Sequence, residues 1–214
     1  MNDSISYVSA PTALDADGVC QAQTTAGAGN LTINGDLATG GVATFGEQQR
    51  VTLYSTADLH ALTFTVYGTT KVGDSISEAI AGPNNSTVTT TANFKTVTRV
   101  AVDAAVGTNV TVGNSDRLET AWVAMNYVRP LKGISVELSS TASLTYEVQY
   151  GVRKRTSSSD AETSILSLAD GTLTAKTTSA GLVASIPYHL IRLKITSFVS
   201  GTATLRIIES TGCE

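Results

Sequence analysis

Apolar and polar residues alternate along most of this chain, and the alternation limits its possible folds more than any other feature of the sequence. In residues 62–68 (LTFTVYG), the apolar Leu62, Phe64 and Val66 alternate with more polar residues, two threonines and a tyrosine. A period of two is typical of a β-strand with one buried face. No window of about 15 residues shows the 3.6-residue apolar period of a helix with capping residues at both ends. The sequence therefore predicts an all-β protein.

The other predicted strands are short, rich in β-branched residues and bounded by turn residues. They cover residues 50–55, 75–80, 87–91, 94–103, 109–112, 134–138, 144–150, 191–195 and 205–207. The last two would form a hairpin across Ser200 and Gly201, and residues 161–168 would form either a helical turn or a strand. Connected strands at this spacing must close on one another. This predicts two antiparallel β-sandwiches of the jelly-roll or immunoglobulin-like type.

A change in charge divides the two predicted sandwiches. Up to Ser115 the chain carries 4 basic and 9 acidic residues, a net charge of −5, whereas the remainder carries 10 basic and 9 acidic residues, a net charge of +1. The change falls in a polar, turn-rich segment at residues 113–117 (GNSDR), which is typical of a domain boundary. We therefore expect a first sandwich over residues 30–115 and a second over residues 116–214. Residues 1–29 show little apolar periodicity, so we expect an extended N-terminal arm there.

The composition excludes several classes of protein. Hydrophobic residues make up 42% of the chain, charged residues make up 15%, and the net charge is −4, which is the opposite of a disordered composition. Basic residues are few, so dedicated nucleic-acid binding is not expected. The first 21 residues lack the basic start and apolar run of a secretory signal. No stretch of about 18 apolar residues is present, so we expect no membrane span.

No arrangement of residues in the sequence is typical of an active site. His60 and His189 lie in or beside predicted strands and belong to no catalytic or zinc-binding motif. Cys20 and Cys213 lie near opposite ends of the chain, which predicts separate reduced thiols, with a bridge between them as the alternative. Residues 15–18 (DADG) resemble the opening of a calcium loop but lack its later ligands, which favours a plain polar turn. We expect no enzymatic activity, no cofactor and no metal.

Two further groups of residues are candidates for contact with a partner. Arg153, Lys154 and Arg155 follow the predicted strand at 144–150 and could contact phosphate or an acidic partner, although a solvated turn or a guard of the sheet edge is favoured at such a strand end. Trp122 is the only tryptophan and lies in an alternating segment. A core or interface position is favoured there over a platform for stacking a sugar.

Two segments have an order of strands and turns that is found in known proteins. Residues 62–102 contain a strand, a Gly-Asp turn, a Ser/Glu strand, a Gly-Pro-Asn turn and Phe-Lys-Thr-Val, and residues 186–210 contain an Ile-Arg-Leu strand and a Ser-Gly-Thr turn. Both segments resemble bacteriophage virion proteins. The resemblance implies a particle component made in the host cytoplasm, either a capsid decoration (cement) protein in many copies or a tail, neck or adaptor component. The family supplies no catalytic residues.

The predicted arm is the main candidate for partner contact. Tyr7, Val8 and Leu14 are isolated apolar residues in a polar segment, and such residues gain most when an interface buries them. The partners implied by the resemblance are the major capsid protein or head–tail components, together with further copies of this chain in a homo-oligomer. The alternatives are an arm without a binding role and a carbohydrate-binding host-attachment module, which a β-sandwich would also support.

Overall fold

The computed structural model describes residues 3–120, 122–124, 132–151, 167–169, 173–184 and 190–209. Every regular element in these ranges is a β-strand, and the strands pair antiparallel, which confirms the predicted all-β class. A helix that could cross a membrane does not occur in the ranges given. The chain divides into two compact units, which we call the first body (Pro11–Leu118) and the second body (Met1–Ala10 with Glu119–Glu214).

The strands are numbered in chain order. They are β1 (Asp3–Ser9), β2 (Cys20–Thr25), β3 (Gly29–Leu31), β4 (Ala38–Thr39), β5 (Val42–Gln49), β6 (Val51–Asp58), β7 (Thr63–Thr69), β8 (Ser75–Ala81), β9 (Asn84–Thr89), β10 (Phe94–Val102), β11 (Val106–Asn114), β12 (Leu118–Glu119), β13 (Val123–Ala124), β14 (Lys132–Leu138), β15 (Ser143–Gly151), β16 (Ser167–Ala169), β17 (Ala180–Ala184), β18 (Leu190–Ser200) and β19 (Ala203–Glu209).

Two sheets form the first body, and their apolar faces share one core. One sheet has the strand order β4-β5-β10-β7-β8, with β3 also paired to β10, and the other has the order β2-β11-β6-β9. The alternation predicted for residues 62–68 is confirmed in β7, where Phe64 and Val66 are fully buried. The shared core includes Phe45, Phe94 and Val97 from the first sheet and Cys20, Leu53, Val110 and Val112 from the second. Two sheets over one core is the arrangement of a β-sandwich.

The second body also contains two sheets. Their strand orders are β1-β19-β14-β17 and β12-β18-β15-β16, with β13 also paired to β18. The hairpin predicted across Ser200 and Gly201 is wrong, because β18 and β19 belong to different sheets and pair with other strands. In four of these strands, residues predicted from the alternation are buried, and in β15 and β18 the intervening Gln149 and Arg192 are buried as well. The predicted residues are Ile134 and Val136 on β14, Leu144, Tyr146, Val148 and Tyr150 on β15, Ile191, Leu193 and Ile195 on β18, and Leu205 and Ile207 on β19.

The first 29 residues differ from the extended arm expected from the sequence. β1 pairs with β19 along its whole length, from Asp3 opposite Glu209 to Ser9 opposite Ala203. β2 pairs with β11 in the first body. Both strands escaped the sequence analysis because they contain few apolar residues and their partners lie far along the chain. The segment therefore supplies one strand to each body. The later division, after Leu118, falls near the predicted boundary at residues 115–116.

Candidate functional site

His60 lies in the turn after β6 and pairs with Asp58. Its Nδ1 atom is 2.6 Å from the Asp58 Oδ1 atom, and its backbone N–H donates to the same oxygen at 3.1 Å. These hydrogen bonds lower the pKa of the Asp58 carboxyl. The two side chains are 67% and 54% exposed, so the pair closes a surface turn and does not line a cleft. His189 lies outside the described residues.

Cys20 begins β2 and is fully buried in the core of the first body. It is a free thiol, and burial raises its pKa to about 12. The thiol therefore stays protonated near neutral pH, whereas nucleophilic attack and metal binding both require the thiolate. Cys20 is consequently a core residue. Cys213 lies outside the described residues.

Residues 15–18 form a polar turn. The Asp17 N–H donates to the Asp15 Oδ1 atom at 3.2 Å, and the Asp15 N–H donates to the Asn114 Oδ1 atom at 2.9 Å. The pKa of Asp17 is raised, chiefly by its side-chain hydrogen bond with Asp15 and further by the negative charges of Asp15 and Asp36. Among the described residues, no group of three His, Cys, Asp or Glu side chains is placed to hold a metal ion. The turn is therefore explained by its own hydrogen bonds.

Trp122 packs against an ion pair in the second body. The guanidinium carbon of Arg192, on β18, lies 4.4 Å from the centroid of the indole ring. Its Nη1 atom lies 2.7 Å from Glu119 Oε2, and its Nε donates to Gln149 Oε1 at 2.8 Å. Arg192 is 8% exposed, and Trp122 is half-buried. The guanidinium stacks on one face of the indole, so that face is not available for stacking on a sugar.

The other predicted contact residues are distributed between the two bodies. Tyr7 is half-buried on β1, and Val8 beside it is 55% exposed. Leu14 is 58% exposed and belongs to the first body, in the segment that leads into β2. Arg153, Lys154 and Arg155 lie outside the described residues. Val8 and Leu14 are therefore accessible to a partner, on separate bodies.

The sheet β1-β19-β14-β17 has an outward face that carries apolar residues. Val183 on β17 and Ile208 on β19 both lie opposite Gly133 on β14, one on each side of it, and are 72% and 45% exposed. Val8 lies opposite Thr204 and shares the phase of Ile208, so it is on the same side of the sheet, where the exposed ion pair of Arg206 and Glu137 separates it from Ile208 and Val183. We call Val8, Val183 and Ile208 the outer apolar face. Val183 and Ile208 were not predicted from the sequence, because the alternation of a strand indicates its buried residues and not its exposed ones.

A groove of about 250 Å³ lies along β15 and β18 in the second body. The residues that line it are Ala142, Ser143, Leu144, Thr145, Thr177, Ser197 and Val199. The described lining residues offer hydroxyl groups for hydrogen bonding, so the groove can bind a polar group.

These observations define an all-β protein of two bodies. No protein-family model and no curated protein sequence matches the chain. The crystal structure of PBSX exported protein XepA aligns with a TM-score of 0.26 at 11% identity, covering 95% of this chain and 85% of that chain. The structure of infectious bursal disease virus Gx strain aligns with a TM-score of 0.22 at 11% identity, covering 99% and 71%. TM-scores this low do not establish a shared fold.

Proposed function

We propose that this chain is a structural component of a bacteriophage particle, a capsid decoration protein that binds the head surface in many copies. The observation that carries the proposal is that the histidine, cysteine and arginine side chains described above have structural roles. His60 closes a surface turn, Cys20 is a buried core thiol, and Arg192 is held between Trp122 and Glu119. Apolar side chains are displayed on the outer apolar face instead. Such a surface favours binding to another protein over catalysis.

The resemblance to phage virion proteins supports the same proposal. Residues 62–102 include β7 to β10, and residues 186–210 include β18 and β19, which follow each other in the chain but lie in different sheets. Gly73 and Gly201 lie in the tight turns of these segments with φ of 95° and 90°, a conformation that favours glycine. Each resembling segment is thus a run of consecutive strands, with one segment in each body.

Copy number in purified particles tests the proposal. Electron microscopy of an intact particle should place the chain on the head, on the order of hundreds of copies in the symmetry of the shell. About 6 to 12 copies on a symmetry axis would assign it to the tail, neck or adaptor instead. Absence of the chain from particles would overturn the proposal.

The outer apolar face provides a second test, on particles. Replacing Val183 with aspartate should lower the occupancy of the chain on particles, because the charge would have to be buried in the contact. The same change at Val72 is a matched control, since Val72 is 83% exposed and lies on the first body. Equal occupancy of the two variants would exclude the outer apolar face as the contact.

Specific binding of a glycan that is lost in Trp122→Ala would instead favour a host-attachment module. The Arg192 guanidinium on the indole ring is the observation against that outcome. A glycan array of the native chain and the variant distinguishes the two functions.

A further inference from the structure

The entire first body is inserted between β1 and the rest of the second body. β1 ends at Ser9, Pro11–Leu118 forms the first body, and the second body resumes at Glu119. Within the described chain, β1 lies at the edge of its sheet and has β19 as its hydrogen-bonded neighbour. Seven residues pair in register, from Asp3 opposite Glu209 to Ser9 opposite Ala203. β1 is therefore joined to its own body by backbone pairing and not by a neighbouring stretch of chain.

The β19 edge requires a strand in this position. Ala203, Leu205 and Ile207 on β19 are at most 1% exposed, and Tyr7 lies opposite Leu205. Without β1, the backbone groups on one side of β19 would lose their partners. An open edge next to apolar residues is a template for any matching strand. The β1 strand of a second copy has the same sequence, so it could pair with β19 in the same way as the β1 strand of the same chain.

The segment after β1 is held by the first body. The Thr12 N–H donates to Gln49 Oε1 at 2.8 Å, Asn114 Nδ2 donates to the Ala13 carbonyl at 2.9 Å, and the Asp15 N–H donates to Asn114 Oδ1 at 2.9 Å. These anchors begin immediately after Pro11, which has no N–H of its own to pair. A rotation about a short hinge at the exposed Ala10, ahead of the buried Pro11, would thus carry β1 away while leaving the first body intact.

We propose that β1 is an exchange strand, which in assembled copies of this protein pairs with β19 of a neighbouring copy. The exchanged and unexchanged forms contain the same seven-residue pairing and differ only at the hinge, so the choice between them depends on concentration. Copies held side by side present β19 edges at a high effective concentration, which favours exchange. The exchange joins copies of this chain to one another and does not involve the head surface, so its failure would leave the virion role untouched.

The test is disulfide trapping between full-length chains. Val8 and Thr204 lie directly opposite each other, and a directly opposed strand pair is within the distance that a disulfide spans. All variants carry Cys213→Ser, and Cys20 is shielded by burial. Chains with Val8→Cys are mixed with chains with Thr204→Cys, unfolded, refolded together and oxidised with copper phenanthroline. The control mixture pairs Val8→Cys with Val72→Cys, an exposed position on the first body.

Exchange predicts a disulfide-linked heterodimer at about ten times the level of the control mixture, since paired strands hold the thiols at a high effective concentration. A heterodimer level equal to the control would overturn the proposal. The double variant with Val8→Cys and Thr204→Cys in one chain gives the second measurement. Covalent species of more than one chain support exchange, whereas a purely intrachain bridge contradicts it. Light scattering of the unmodified chain should likewise give a multiple of the monomer mass, and a monomer at every concentration contradicts exchange.

Discussion

Glycines of this chain differ widely in the space that neighbouring atoms leave for a side chain. Gly68 on β7 faces the next strand so closely that an added Cβ atom would lie 1.8 Å from the Thr96 carbonyl oxygen. Gly27, in a surface turn, has no atom within 4 Å of the same position. Two glycines that look equivalent in the sequence therefore have opposite tolerance for a side chain.

Gly68→Ala should lower the free energy of unfolding by more than about 2 kcal/mol, because the strands must move apart to admit the methyl group. Gly27→Ala should change it by less than about 0.5 kcal/mol. Urea unfolding followed by circular dichroism measures both. Similar values for the two variants would contradict the close packing of β7 on β10.

Because of Cys20, the stability of the first body depends on pH in the alkaline range. Its pKa is raised by burial from the ordinary 9.0 to about 12, so the folded chain binds the thiol proton more tightly than the unfolded chain. The resulting stabilisation is fully present below about pH 9 and is lost as the pH rises from 9 towards 12. The stability advantage of the native chain over Cys20→Ala should therefore shrink across that range. Urea titrations of both proteins below pH 9 and above it measure the change, and a constant difference would argue against a buried thiol.

Two ion pairs link strands of the second body, and they differ in how far solvent reaches them. In the second body, Glu119 and Arg192 form a pair at 2.7 Å with side chains 18% and 10% exposed. Glu137 and Arg206 form another at 3.1 Å with side chains 51% and 50% exposed. The two pairs have the same chemistry, but solvent screens only the second one strongly.

Glu119→Gln should destabilise the second body by about 1–3 kcal/mol, because it leaves the guanidinium of Arg192 buried without its carboxylate. Glu137→Gln is the matched control and should cost less than about 0.5 kcal/mol. Tryptophan fluorescence during urea unfolding follows both variants, since Trp122 lies beside Arg192. A loss of stability in the control as large as that in Glu119→Gln would show that burial is not the cause.

Strands could be predicted from the sequence where one of their faces is fully buried. β7, β14 and β19 alternate strictly between more and less buried residues, so their cores were identified from the pattern alone. β2 (CQAQTT) lies at the edge of its sheet and carries too few apolar residues to show a period. The exposed Val183 and Ile208 were not predictable either, because strand periodicity locates buried residues and an exposed valine has no comparable signal.

At the scale of the whole molecule, each body has its own buried residues, with Phe64 in the first and Ile195 in the second. Trp122 is the only tryptophan of the chain and belongs to the second body. Its fluorescence consequently reports on the unfolding of that body, whereas circular dichroism reports on both.

Ile195→Ala should lower the midpoint of the fluorescence transition, since the change costs about 2–5 kcal/mol in a packed core. Phe64→Ala, with a cost of about 3–5 kcal/mol, should alter the circular dichroism transition and leave the fluorescence midpoint in place, because separate cores unfold separately. A fluorescence midpoint that shifts equally in both variants would mean that the bodies unfold as one cooperative unit.

The insertion of the first body between β1 and the rest of the second body has a consequence for synthesis on the ribosome. β1 is complete at Ser9, but β19 begins only at Ala203. At about 5–20 residues per second, the ribosome needs roughly 10–40 seconds to make the intervening chain. During that time the first body can fold, while β1 has no β19 of its own chain with which to pair. Nascent chains on the same messenger RNA would meet in this state, before either has filled its own β19 edge.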